Sequence, residues 1–401
     1  MHLVMFYHSL LSDWNHGNAH FLRGVVSELL SRGHRVEVYE PKDSWSYQNM
    51  MRDHGEPALR RFKEVYPQLE GRTYQAERLD LDRVLSGVDL VLVHEWNDLA
   101  LVRRLGEHRK KHPHYRLLFH DTHHRSVTDR AWSANCDLTG YDGVLAYGRK
   151  LRNLYLASGR VREAWVWHEA ADARVFYPQP ALEKTGDLVW IGNWGDEERS
   201  EELREFLIEP VRRLGLKAMV YGVRYPDQAL RALKQAGIRY GGWLPNFEVP
   251  RIFGRYRVTV HIPRRPYATK LPGIPTIRPF EALACGIPLV CSPWDDCEHL
   301  FTPGSDYLVA VNGEEMVVQL EKLLADPSGA AALAEHGRQT VLARHTCAHR
   351  VDELLAIAAG LLERHPCDAG IPLNRHPQPL PEPPGDELLR QVPREVLNGD
   401  R

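Results

Sequence analysis

At 401 residues the chain is long enough for two domains, each with a sizeable core. Charge is nearly balanced, 51 Lys and Arg against 53 Asp and Glu for a net of −2, which argues against nucleic-acid binding driven by bulk charge. Six Cys without zinc spacing, no signal peptide in Met1–Tyr7 and no apolar run of membrane length lead to one expectation: a reduced, cytoplasmic protein without a transmembrane segment.

An apolar strand over Leu3–Tyr7 runs into the loop HSLLSDWNHGNAH. A helix follows with Phe21, Leu22, Val25, Val26, Leu29 and Leu30 on one face, and Gly33 closes it before a second strand, Arg35–Tyr39. No G-x-G-x-x-G accompanies this unit, so it is not a dinucleotide fingerprint. Residues 43–80 are polar and mixed, read as helices and a loop on the rim. Strands at Val88–Trp96, Arg116–His124, Gly143–Gly148 and Glu163–Ala170 then alternate with helices. After a boundary segment, His168–Pro180, the alternation restarts with DLVWIG, LKAMVYG, IRYGGWLP and RVTVHIP, and YLVAV over Tyr307–Val311 is the last strand. This rhythm predicts an α/β architecture with parallel sheets covered on both faces. Residues 366–401 are rich in Pro with few apolar anchors and read as an extended tail.

The stretch RPFEALACGIPLV, Arg278–Val290, organises the second half. It predicts a short helix, Arg278–Cys285, with Pro279 in its first turn and Gly286 supplying the left-handed stop before a strand at Ile287–Cys291. The helix N-terminus at Thr276 and Ile277 offers free N–H groups and the positive end of the dipole to an anion, and Arg278 adds a planar cation. Glu281, one turn in, can accept from two neighbouring hydroxyls such as a ribose diol. A surface helix with an ordinary first-turn Glu is the plain alternative. Upstream, WIGNWGDEERS joins a strand to a helix start: Gly192 and Gly195 leave room beside Asn193 for a phosphate, and Arg199 can reach it. A turn carrying a solvated Arg is the alternative there.

RPFEALACG resembles the donor-site signature of GT-B glycosyltransferases, especially the CgeB-like (spore-maturation-type) group and the family 4-type retaining enzymes. Glu281 stands in the place of their ribose-holding Glu. An Arg ahead of the Phe-Glu pair, as Arg278 is, and an Arg after the Gly-containing loop, as Arg199 is, are CgeB-like features. Many family 4-type enzymes carry a second Glu eight positions before the first, and here that position is Gly273. Asp172, Phe176 and Pro178 match the interdomain segment of the same enzymes. The resemblance covers residues 15–365 and implies two Rossmann-like domains facing across a cleft. Residues 1–177 would form the acceptor domain, 178–345 the donor domain, and 346–365 a helix crossing back to the first domain. It further implies that Trp243 or the backbone of Leu244, in GGWLPNF, holds the base. Gly17 and His20 would face sugar and acceptor from the first loop, beside His16. His120 would lie near sugar and phosphate, with Asp121 fixing its tautomer. Metal binding by His120, His123 and His124 is the rival reading of that run. Other His, such as His54, His108 and His112, are expected at the surface.

The function so implied is transfer of a sugar from a nucleoside diphosphate sugar to an acceptor: a saccharide, a small molecule or a protein. The nucleotide sugar is a co-substrate, and no cofactor, bound metal or nucleic acid is expected. Arg199, Arg278 and the helix N-terminus near Thr276 would stabilise the departing diphosphate of a metal-independent, hexosyltransferase-like enzyme. Family 4 resemblance implies retained configuration. Were it inverted, His20 or Asp121 would be the base. A nucleotide-sugar epimerase or hydrolase, and a non-catalytic nucleotide-sugar binder, remain the alternatives on this fold.

Overall fold

Seven parallel strands form the first sheet: β1 His2–Phe6, β2 Arg35–Pro41, β3 Gly71–Tyr74, β4 Leu90–His94, β5 Arg116–Asp121, β6 Gly143–Ala146 and β7 Ala164–Val166. The second has six: β8 Gly186–Ile191, β9 Ala218–Tyr221, β10 Arg239–Tyr240, β11 Tyr256–His261, β12 Leu289–Cys291 and β13 Leu308–Val309. The computed structural model describes residues 1–179 and 182–363; the Pro-rich segment at 366–401 lies outside them. The strand orders are β3-β2-β1-β4-β5-β6-β7 and β10-β9-β8-β11-β12-β13, so each sheet reverses direction beside its first strand. In such sheets the crevice beyond the carboxyl ends at that switch point is the natural ligand site.

Burial on both faces explains the continuous apolar runs: all five residues of β4 are buried, and so are the apolar residues of β1 and β5. Val38↔Gly71 and Pro41↔Tyr74 pairing brings β3 onto the edge of β2. The polar run at 43–80, expected on the rim, therefore contains a sheet strand as well as the helix Trp45–Val65. With only Tyr74 buried, an edge strand shows no apolar alternation to read.

The organising helix spans Ile277–Ala284 with Thr276 as N-cap. Gly286 has φ 64, and its N–H donates to the Leu283 carbonyl while the Ile287 N–H donates to that of Ala282. That pair of bonds is the Schellman closure expected of a Gly at this position. The helix Cys347–Glu363 lies on Ala19–Ser31 of the first unit, with the Trp167 indole N–H donating to the Arg350 carbonyl at 2.8 Å. Gly24 permits that approach, since a Cβ there would run into the Cys347 side chain, 3.2 Å from its Cβ.

Candidate functional site

The carboxyl ends of the two sheets face each other across a cleft of about 380 Å³. Gly17, Gly192, Asn193, Arg199, Thr276, Ile277 and Arg278 all line it. Among the remaining residues singled out above, His20, His120, Asp121, Trp243, Leu244 and Glu281 do not. The domains touch closely around it. A Cβ on Gly17 would come within 3.0 Å of Ile277, Asn193 Nδ2 donates to Asn15 Oδ1, and Asn246 Nδ2 donates to the Gly17 carbonyl at 3.1 Å. A larger hollow of about 820 Å³, over Trp194, Arg204 and Gln228, belongs to the second domain alone and holds nothing from the first.

At the helix N-terminus Thr276 makes no side-chain cap; its Oγ1 bonds to His261 Nε2 at 3.2 Å, so the first-turn N–H groups are left open to the cleft. His261 Nδ1 is buried without a partner, and so is Arg278 Nε. Burial, then the charges of Arg199 and Arg278, push the His261 imidazole down to about 3. An uncapped helix end with the Arg278 guanidinium beside it, its Nε a donor without a partner, describes an anion site.

Glu281 sits one layer behind. Its carboxylate is fully buried, with Oε1 accepting from His20 Nδ1 at 2.8 Å and Oε2 from Arg278 Nη1. The Asp172 backbone N–H donates to His20 Nε2 at 2.9 Å, so the ring is the Nδ1–H tautomer. Phe176 stacks on it, centroids 3.8 Å apart. Asp172 and Phe176 of the boundary segment thus hold the first-domain side of an interdomain bond. Glu169 lies nearby; burial, then the Glu281 charge, raise its carboxyl well above the usual range.

Arg199 is anchored as well as aimed. Nε and Nη2 donate to the Asn193 carbonyl and Nη1 to that of Ile262 at 3.0 Å, over the face of Trp190. Its side chain fills the space above Gly195 (φ +92) and Gly192, where the sequence reading left room for phosphate. A guanidinium has five N–H donors, so two stay available to the cleft. Burial, then Arg264, lower this group to about 9. Arg264 pairs with Glu198 at 3.0 Å and Arg224 with Asp196 at 2.7 Å, leaving Arg199 and Arg278 as the cations without a cleft carboxylate. Arg264, His261 and Glu198 escaped the sequence reading. The available signal was a His and two Arg, HIPRR, at the carboxyl end of a strand.

His120 ends β5 but is buried behind the cleft wall. Its Nδ1 shares a 2.7 Å hydrogen bond with the Tyr7 hydroxyl, so Tyr7 rather than Asp121 orients the ring. Asp121 instead accepts from the Tyr155 hydroxyl at 2.7 Å and the His123 N–H at 3.2 Å. Burial pushes the His120 imidazole from 6.5 down to about 3. Between those pH values the unfolded chain binds the extra proton, so the stability this group contributes is lost as pH falls. A His120→Phe chain is expected to lose less stability than wild type on acidification, by roughly 1.4 kcal/mol per pH unit below about 6.5. Urea titrations of both chains near pH 7 and pH 4.5 check this; parallel losses would mean that His120 is not held neutral.

Trp243 donates its indole N–H to Asp13 Oδ1 at 3.0 Å and packs on His54, while Leu244 joins the second domain's core. Trp243 therefore braces the two domains, Leu244 packs within the second, and neither lines the cleft. Among the described residues, His120, His123 and His124 are not gathered into a metal-ligand set. No described helix is long and apolar enough to cross a membrane.

A family model described as glycosyl transferase-like matches residues 199–356, the second domain and its approach to the crossing helix. No curated protein matches the chain. Solved structures similar over nine-tenths of the chain include the following three. Sucrose-phosphate synthase from Thermosynechococcus elongatus is 14% identical, with TM-score 0.60, covering 90% of this chain and 99% of that one. HepE from Anabaena, in complex with UDP, is 14% identical with TM-score 0.63, covering 90% and 100%. An alpha-glucosyltransferase in complex with UDP and a 13-mer DNA is 12% identical with TM-score 0.63, covering 90% and 99%. At such identities the likeness is one of fold, and the chain has the two-domain GT-B fold of these glycosyltransferase structures.

Proposed function

We propose that the chain is a GT-B glycosyltransferase that moves a sugar from a nucleoside diphosphate sugar to an acceptor. The observation that carries this is the anion site at Thr276–Arg278, where uncapped N–H groups stand beside the cleft-lining Arg278, whose Nε has no partner. A diphosphate supplies the acceptors these donors lack, and its growing charge during bond cleavage is what such preorganised donors stabilise. Arg199 adds its two remaining N–H groups. HepE and the alpha-glucosyltransferase are named as complexes with UDP, which puts uridine diphosphate sugars first among donors to test.

The donors named above supply the electrostatic stabilisation that a metal-independent transfer requires. His20 and Asp121, the candidate bases for inversion, are both buried and bonded away from the cleft. That favours a retaining course in which the leaving phosphate itself takes the acceptor proton. Arg278 ahead of Phe280-Glu281, with Arg199 after its Gly loop, supports a CgeB-like subtype. The acceptor enters from the first domain past Trp96, Asn18 and Thr122. The five described cysteines are all free thiols, in keeping with a cytoplasmic setting.

Thermal-shift measurements with UDP-, GDP- and dTDP-sugars and the free nucleotides are expected to give one base a clear rise in melting temperature. Donor consumption that proceeds equally without any acceptor would make the protein an epimerase or hydrolase. A complete absence of nucleotide-dependent shift would remove the donor-site reading.

A further inference from the structure

We propose that Asp82, His108 and His112 form a binding site for a zinc-class divalent cation on the outer edge of the first domain. One ligand atom from each lies within 4.8 Å of the others, the single such group among the described residues. Asp82 follows the Asp80 cap of the short helix Leu81–Val84, in an Asp-Leu-Asp run at 80–82. His108 is in the last turn of the helix Leu99–Lys111, and the His112 N–H still bonds to the His108 carbonyl at 2.9 Å. His112 is the C-cap, four residues on, and the two imidazoles stack with ring centroids 4.3 Å apart.

The spacing suits a metal. Zinc bound tetrahedrally at about 2.0–2.1 Å holds neighbouring ligand atoms about 3.3 Å apart. Asp82 Oδ1 lies 3.1 Å from His108 Nε2 and 3.3 Å from His112 Nε2. His108 is also oriented from behind, as metal-binding imidazoles are. Its Nδ1 bonds to the hydroxyl of the fully buried Tyr115 at 2.9 Å, which turns Nε2 toward Asp82. Two neighbouring cations are already paired, Arg109 with Asp142 at 2.9 Å and Lys110 with Glu107 at 2.7 Å. The negative end of the helix dipole favours a cation at this end. With three protein ligands, water completes the set.

Tyr115 precedes β5 while the cleft lies beyond its far end, so the strand's six residues, about 20 Å, separate this site from the cleft. The cation would therefore pin the end of one helix to the segment after β3 and take no part in sugar transfer.

The test is calorimetry of the full, chelator-treated chain with zinc chloride, alongside visible spectra with cobalt(II). One equivalent is expected to bind, with the intense bands of tetrahedral cobalt and a rise in melting temperature. Asp82→Asn and His112→Gln are each expected to weaken binding by at least ~30-fold, whereas His123→Gln leaves it unchanged. Asp82 and His112 are 77% and 42% exposed, so these variants fold. Wild type that binds no zinc at about 100 µM overturns the proposal, as does an Asp82→Asn, His112→Gln double variant that keeps its equivalent.

Discussion

Replacing Glu281 by Ala is expected to lower the free energy of unfolding by about 3–5 kcal/mol. Read from the sequence alone, this residue is a ligand-facing carboxylate whose loss would cost binding and little else. In the structure its carboxylate is fully buried and joins two domains, with His20 on one oxygen and Arg278 on the other. Removing it strands the His20 Nδ1–H in a dry interface and leaves Arg278 partly buried beside it with no counter-charge. Both penalties are desolvation costs already incurred on folding, which no water can repay at a site without exposure. Glu281→Gln is the informative companion. Its carbonyl oxygen can still accept from His20, but its NH₂ meets the donors of Arg278, so an intermediate loss is expected. Urea unfolding followed by tryptophan fluorescence measures both. A loss below about 1 kcal/mol for the Ala chain would mean that the interdomain bond carries no stability.

Arg278→Ala is expected to weaken binding of a nucleoside diphosphate by roughly 10- to 150-fold, the equivalent of about 1.5–3 kcal/mol for a charge-assisted hydrogen bond. Affinity for the bare nucleoside is expected to change little. The asymmetry follows from where Arg278 lies: it lines the cleft at the uncapped helix N-terminus beside Thr276. Arg278→Lys keeps the charge but loses the planar fork, so it should recover only part of the loss. Arg199 is a poorer probe, because it also holds the Asn193 and Ile262 carbonyls and its removal disturbs two loops. Calorimetry of nucleoside and nucleoside diphosphate on wild type and both Arg278 variants makes the comparison. Equal losses for the two ligands would show that Arg278 does not read phosphate.

Local pattern determined the α/β class, because strand and helix periodicities and the left-handed stop at Gly286 are properties of a few neighbouring residues. The helix N-terminus at Thr276 and the two cleft-lining arginines of the second domain were legible for the same reason. An edge strand such as β3 was not, since one buried residue in four leaves no alternation. What Glu281 touches lay beyond any local reading: its partner His20 is 261 residues away in the chain. The same holds for Tyr7 against His120, 113 residues apart, and for Asp82 against His108, 26 apart. Side-chain type states which hydrogen bonds a residue can make. Only the packing of the two sheets decides which of those bonds are met inside the protein and which, as at Arg278 Nε, are left without a partner.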